Sequence, residues 1–209
     1  MSSQTSTPDV IKEESESMML HGVIFNVRPC FVMDHPRWIM ATLIDVTGAL
    51  RNADIKVIGL HGKNDIEIQN VIEIASRRAR RDNLFDQVVV ADLTNKSNLV
   101  MIQEEVARAL NLRLSDGIWY RWRCFLTGTS IIADRAQQIC ERIRRKGRIL
   151  IILHNPFQGF DMEQVGIPFG DTHGGCKILL ASANQQLLKD EMKSQLIFSP
   201  EDFARFYER

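Results

Sequence analysis

The sequence lacks a net charge. Its 26 Lys and Arg balance 26 Asp and Glu, for a formal charge of zero. Without a basic surplus there is no global attraction to nucleic acid or to an anionic membrane, and neither is expected as a partner. The same balance removes the mutual repulsion that keeps copies of a protein apart. Cysteine is scarce and shows no C-x-x-C pair: Cys30, Cys124, Cys140 and Cys176 are scattered. Reduced thiols in an intracellular, cytoplasmic setting are the expectation. His173 and Cys176 have the spacing of two metal ligands, but no second pair exists, so no metal site is expected. Long hydrophobic runs are also missing. Residues 18–33 are broken by His21, Asn26, Arg28 and Pro29, and they cannot span ~30 Å of hydrocarbon. Asp9, Glu13, Glu14 and Glu16 stand where a secretory signal would carry a basic flank, so none is indicated.

What is present suits one α/β domain with appendages. The chain has 209 residues, of which 44% are hydrophobic, enough for a core. Residues 1–17 are rich in Ser, Thr and Glu and read as a disordered tail. Residues 18–36 have no clear period; 18–33 could hold a strand or two. From 38 to 51 an amphipathic helix is expected, weakened near its end by Gly48. A short β run over 55–60 leads into His61-Gly62-Lys63-Asn64-Asp65. Asn64 is a good helix cap there, and Glu67 three residues on fits a capping-box variant. The helix should run over 66–81 and close on Arg77, Arg78, Arg80 and Arg81, cations that suit a helix C-terminus. A β run over 87–93, helices over 99–110 and 131–146 (ended by Gly147), and β runs over 149–153 and 176–181 complete the pattern. Near-continuous aliphatic runs alternating with helices predict a parallel sheet covered on both faces.

In such a sheet, ligands bind beyond the carboxyl ends of the strands. The turn after the first run has the strand–glycine–helix context of a phosphate loop. The pattern G-x-x-x-x-G-K-[ST] requires inward amides, a lysine and a magnesium-binding hydroxyl. Gly62 and Lys63 are there, but Asn64 replaces the hydroxyl and the first glycine falls on Val57. In the shifted register Glu67 and Ile68 take the second glycine and lysine positions. An ordinary βα turn is the expected reading. At the end of the 149–153 run, His154 and Asn155 stand where a hydrolase keeps an acidic residue for Mg²⁺; imidazole and amide give a hard cation no negative charge. After 178–180 there is no cation to meet a γ-phosphate.

With these segments in view, the chain resembles the NB-ARC domain of plant disease-resistance NBS-LRR proteins of the coiled-coil class. The resemblance rests on residues 53–62, which look like the lead into the family's P-loop, and on 84–91 around its second strand. It continues through 102–107 and 110–112, the Walker B strand at 148–153, and then 165–170 and 175–180, in family order and spacing. It covers about residues 38–198. It implies a P-loop NTPase-like parallel sheet flanked by helices, incomplete at the C-terminus, with the NB-ARC-like subdomain over 37–199 and tails at 1–17 and 200–209. It implies an ADP/ATP switch with Mg²⁺ in plant defence. It places vestigial nucleotide-binding positions at Gly59, Gly62, Lys63 and Asn64, and Walker B positions at His154 and Asn155. The family's arginine after the fourth strand corresponds to Ala183.

These departures lead to the expectation of a truncated relative that is no enzyme. It would hold nucleotide weakly or not at all and act by packing against a full-length immune receptor or another protein. The alternatives left open are a residual ADP-binding module, held near Gly62 and Lys63, and a pseudogene-like product without a stable fold. Residues 115–130 form an insertion, with aromatics interleaved with arginines over 118–125. Stacking on single strands is one reading; a sticky, poorly packed surface is the favoured one.

Overall fold

The computed structural model describes residues 17–20, 23–26, 37–115, 130–168 and 175–199, with positions 117, 122, 125, 126 and 128. The chain divides into two compact units, Met1–Pro36 and Arg37–Arg209. In the first unit, β1 (Ser17–Leu20) and β2 (Val23–Asn26) pair antiparallel, with Ser17 opposite Asn26 and Leu20 opposite Val23. The aperiodic segment thus contains a hairpin, and Ser17, expected in the tail, opens it. The rest of that tail and the tail at 200–209 lie outside the described residues.

The second unit is built on five parallel strands. These are β3 (Val57–His61), β4 (Gln87–Asp92), β5 (Ile149–His154), β6 (Cys176–Ser182) and β7 (Leu196–Phe198), in the spatial order β4-β5-β6-β3-β7. Every residue of β5 and of β6 is buried. The reason is two-sided covering. Ile149, Ile151 and Leu153 point into one apolar layer with α3 (Leu99–Ala109), α4 (Ile131–Arg144) and the short α5 (Met162–Val165). Leu150 and Ile152 point into the other, with α1 (Arg37–Arg51) and α2 (Asp65–Arg81). A strand with alternate residues in two cores has no solvent face, so its sequence reads as an unbroken aliphatic run.

Gly48 does not cut α1 short. Ala49 and Leu50 beyond it are buried, and the helix end is finished by a side chain from the sheet. Lys177 of β6 is buried, and its ammonium donates to the carbonyls of Ala49, Asn52 and Ile55. A helix leaves its last carbonyls short of intrahelical donors, and one cation here ties the terminal carbonyl of Ala49 to those of Asn52 and Ile55 in the segment that follows the helix. Burial lowers the Lys177 pKa, nearby Lys56 lowers it further, and Asp54 opposes them.

Two contacts lock the other layer. Gln103 on α3, fully buried, donates its amide to the carbonyls of Ile132 and Gln164, both at 2.9 Å, and so ties three helices together. Replacing it with leucine is expected to remove both bonds and cost about 2 kcal/mol, lowering the melting temperature by roughly 4–8 °C. A calorimetric melt of the variant checks this, and an unchanged melt refutes it. Gly166 ends α5 in the left-handed region, φ 94°, with its amide bonded to Met162 and Glu163 carbonyls.

Candidate functional site

The carboxyl ends of β3, β4 and β5 and the start of α2 converge on one rim. Only residues 62–64 separate β3 from α2. A side chain at Gly62 would bring its Cβ to 2.9 Å from Ile68 Cγ1, and Ile68 is fully buried. Glycine stands there because a helix residue packs on its α-carbon. The inside of the turn is filled by protein.

Asn64 caps α2 as its sequence predicts. Its side-chain oxygen accepts from the Ile66 amide at 3.0 Å, and its carbonyl accepts from Glu67 and Ile68 at 3.1 and 3.2 Å. Asp65 and Glu67 place two carboxylates in the first turn, at the positive end of the helix dipole. The amides of Ile66, Glu67 and Ile68, of the kind that bind phosphate at a helix start, are bonded within the chain.

Asp65 then reaches across the rim. Its Oδ1 accepts from Asn155 Nδ2 at 3.0 Å and its Oδ2 from Gln69 Nε2 at 3.2 Å. His154, the buried last residue of β5, has Nε2 3.0 Å from the same Oδ1, but the ring nitrogen is not aligned for a hydrogen bond. This contact is one of proximity and is weaker than the distance suggests. On the other side His154 Nδ1 lies 3.8 Å from Asp92 Oδ1. Burial raises the Asp92 pKa. The hydroxyl and amide of Thr94, bonded at 2.6 and 3.0 Å, together with His154 and Lys96, outweigh that and hold the carboxyl below its usual value. Asn155 takes φ 52°, a conformation asparagine tolerates better than most residues, and its amide donates to Ala181 at 2.8 Å. After β6, Ser182 and Asn184 form a closed polar turn beside Ala183: Ser182 Oγ accepts from Asn184 N, and Asn184 Oδ1 from Leu187 N.

Of the residues singled out in the sequence, Asn64, His154 and Asn155 come together around Asp65. Gly62 and the exposed Lys63 form the turn beside them. Gly59 is apart from this cluster. It lies within β3 between β6 and β7, where an added Cβ would sit 3.0 Å from Ile197 Cγ1. Asp65 and Asp92 were not singled out. Their only local signals are a first-turn acid after a cap and an acid at a strand end.

Elsewhere the thiol of Cys176 is buried in β6. Burial, and then Cys140, push its pKa up to about 12. His173 lies outside the described residues. Among the described residues no group of three His, Cys, Asp or Glu is arranged to hold a metal ion, and no helix is long and apolar enough to cross a membrane. In the aromatic segment, Trp122 and Phe125 meet edge to face with centroids 6.2 Å apart and remain exposed. Most of residues 115–130 lie outside the described set.

Residues 40–202 match the family model of the NB-ARC domain. A probable disease resistance protein of Arabidopsis thaliana is 22% identical over 134 residues, covering 64% of this chain and 16% of its own length. A second from the same plant is 23% identical over 134 residues, covering 64% and 13%. The chain therefore spans about a sixth or less of the curated relatives it matches. Among solved structures, the crystal structure of Cdc6p from Pyrobaculum aerophilum superposes with a TM-score of 0.50 at 14% identity, over 82% of this chain and 47% of that one. That likeness bears on the fold alone, a P-loop NTPase-like sheet with helices on both faces.

Proposed function

Because its residues 40–202 match that model, the chain belongs to the NB-ARC domain family, and we propose that it is a disease-resistance switch module whose phosphate grip has been replaced by internal contacts. In this reading it neither hydrolyses ATP nor holds ADP or ATP tightly. It works through protein contact with a larger immune receptor in the cytoplasm. The name of the relatives it resembles supports the defence role.

One observation carries the loss of grip. The start of α2 is capped by Asn64 and carries Asp65, whose carboxylate is bonded to Asn155. The helix start that follows the phosphate-loop-like turn is therefore tied to Asn155, one of the two Walker B-like positions, by an anion of the chain itself. A triphosphate entering there would meet two first-turn carboxylates at the helix start. Each charge-assisted hydrogen bond not made costs about 1.5–3 kcal/mol of affinity, so several missing bonds remove micromolar binding. The residues present do not fit a magnesium nucleotide, and no catalytic step is assigned to them.

Titration calorimetry with ADP, and with ATP plus Mg²⁺, tests the reading. No saturable heat in the micromolar range and no phosphate release are expected. Micromolar binding accompanied by turnover would overturn it.

A further inference from the structure

The arginines that close α2 are not absorbed by the rim. Arg77, Arg78, Arg80 and Arg81 follow one another there, and Arg51 of α1 stands beside them. Their close anions are few. Arg77 pairs with Glu73 at 2.5 Å, while Arg51 and Arg81 share Asp82 at 2.9 and 3.2 Å. Among the described residues, five guanidiniums are thus paired with two carboxylates. Arg78 registers the surplus: burial lowers its pKa, and the charges of Arg81 and Arg51 lower it further against Asp82.

On one side of this helix end runs a groove of about 400 Å³ between α2 and the edge strand β4. Ile72 and Val90 give it apolar surface, Arg77 and Arg80 give it charge, and His154 lines it toward the rim. Arg80 is steadied by a hydrogen bond to the Val88 carbonyl at 3.1 Å. Val90 is 43% exposed, although Val88, Val89 and Ala91 around it are buried. Among the described residues β4 pairs only with β5, so its outer side carries no strand. An exposed β-branched residue on an edge strand, beside Arg80 bonded to a carbonyl and Arg77 held by one exposed ion pair, is a surface with both apolar and electrostatic purchase.

We propose that this groove docks an acidic peptide segment of a partner protein. A carboxylate of the segment meets Arg77 and Arg80, and an apolar side chain covers Val90 and Ile72. The pair with Glu73 does not block this. Exposed i,i+4 pairs contribute little, so an incoming carboxylate displaces Glu73 at small cost. A peptide fits better than a nucleic acid. Ile72 and Val90 give the cations aliphatic neighbours, no Phe, Tyr or Trp among the lining residues offers a ring to stack a base, Glu73 stands in the lining, and the chain as a whole carries no net positive charge.

Fluorescence anisotropy of the full chain with a dye-labelled peptide of alternating glutamate and leucine is the test, with a lysine–leucine peptide and a uridine oligonucleotide of equal charge beside it. The glutamate peptide is expected to bind, and added salt to weaken it. Arg77→Glu combined with Arg80→Glu is expected to weaken it roughly 10-fold or more. Arg77→Glu alone, at an exposed ion pair, gives the same direction without disturbing the Val88 contact. No binding to the unaltered chain, binding unchanged in both variants, or tighter binding of the oligonucleotide would each overturn the proposal.

Discussion

Gly166→Ala is expected to destabilise the domain by about 4 kcal/mol, enough to leave little cooperative melting at physiological temperature. Two causes add. Gly166 has φ 94°, a region an L-residue enters only with strain of roughly 1–3 kcal/mol. A Cβ there would also lie 2.2 Å from the carbonyl oxygen of Ala136 and 2.8 Å from its carbonyl carbon. Those atoms belong to the backbone of α4 and cannot rotate away, so α5 and the loop to Ile167 must lift off it. Overpacking of that kind costs a further ~1–3 kcal/mol. The contrast is Gly48, exposed within α1, where nothing lies within 4 Å of an added Cβ. There alanine is expected to stabilise by roughly 0.5–1 kcal/mol, because glycine only adds freedom to the unfolded chain. Thermal melts of the two variants should move in opposite directions. A Gly166→Ala protein that melts with the parent would disprove the first argument.

The second large effect is expected at Lys177. Methionine keeps the length of the side chain but donates nothing. The carbonyls of Ala49, Asn52 and Ile55 then lose their common donor under a buried helix end, at a cost of about 2–4 kcal/mol. The pH dependence has a definite sign. The folded-state pKa of Lys177 is lowered by burial below the ordinary lysine value of 10.5. A depressed value means the residue's linked contribution is fully present above 10.5 and is lost as pH falls through the folded value. Urea melts at a series of pH values should therefore show the gap between parent and Lys177→Met widening as pH rises toward 10.5. A gap that narrows in the alkaline range would refute the assignment.

The strongest elements were legible because local and tertiary demands agree. The 149–153 run reads as a buried strand and is one, extended by His154. The helix after Asn64 is signalled by its cap, its apolar spacing and its terminal arginines, and it begins one residue early, at Asp65. By contrast β7 gives no local signal. It has three residues and exists because Ile58, Gly59 and Leu60 offer a parallel edge. Gln195 anchors its approach by accepting from the Val57 amide at 3.0 Å and donating to the Asp54 carbonyl. The π-helical turn at Leu187–Glu191 and the four-residue α5 were missed for the same reason, since each is too short to show a period. The rim was half legible. His154 and Asn155 stand out as a polar pair at the end of an aliphatic strand. Asp65 does not, because its partner Asn155 lies 90 residues away in sequence. Composition and spacing carry no information about that pairing, which only the sheet order brings about.

The alternation along β5 divides the interior into two apolar compartments that communicate across a single layer of backbone. Substitutions in one compartment and substitutions in the other should sum in their effects, since they share no side-chain neighbours. The rim belongs to neither compartment. The chemistry at the strand ends can therefore change by substitution while the interior goes on specifying the same architecture.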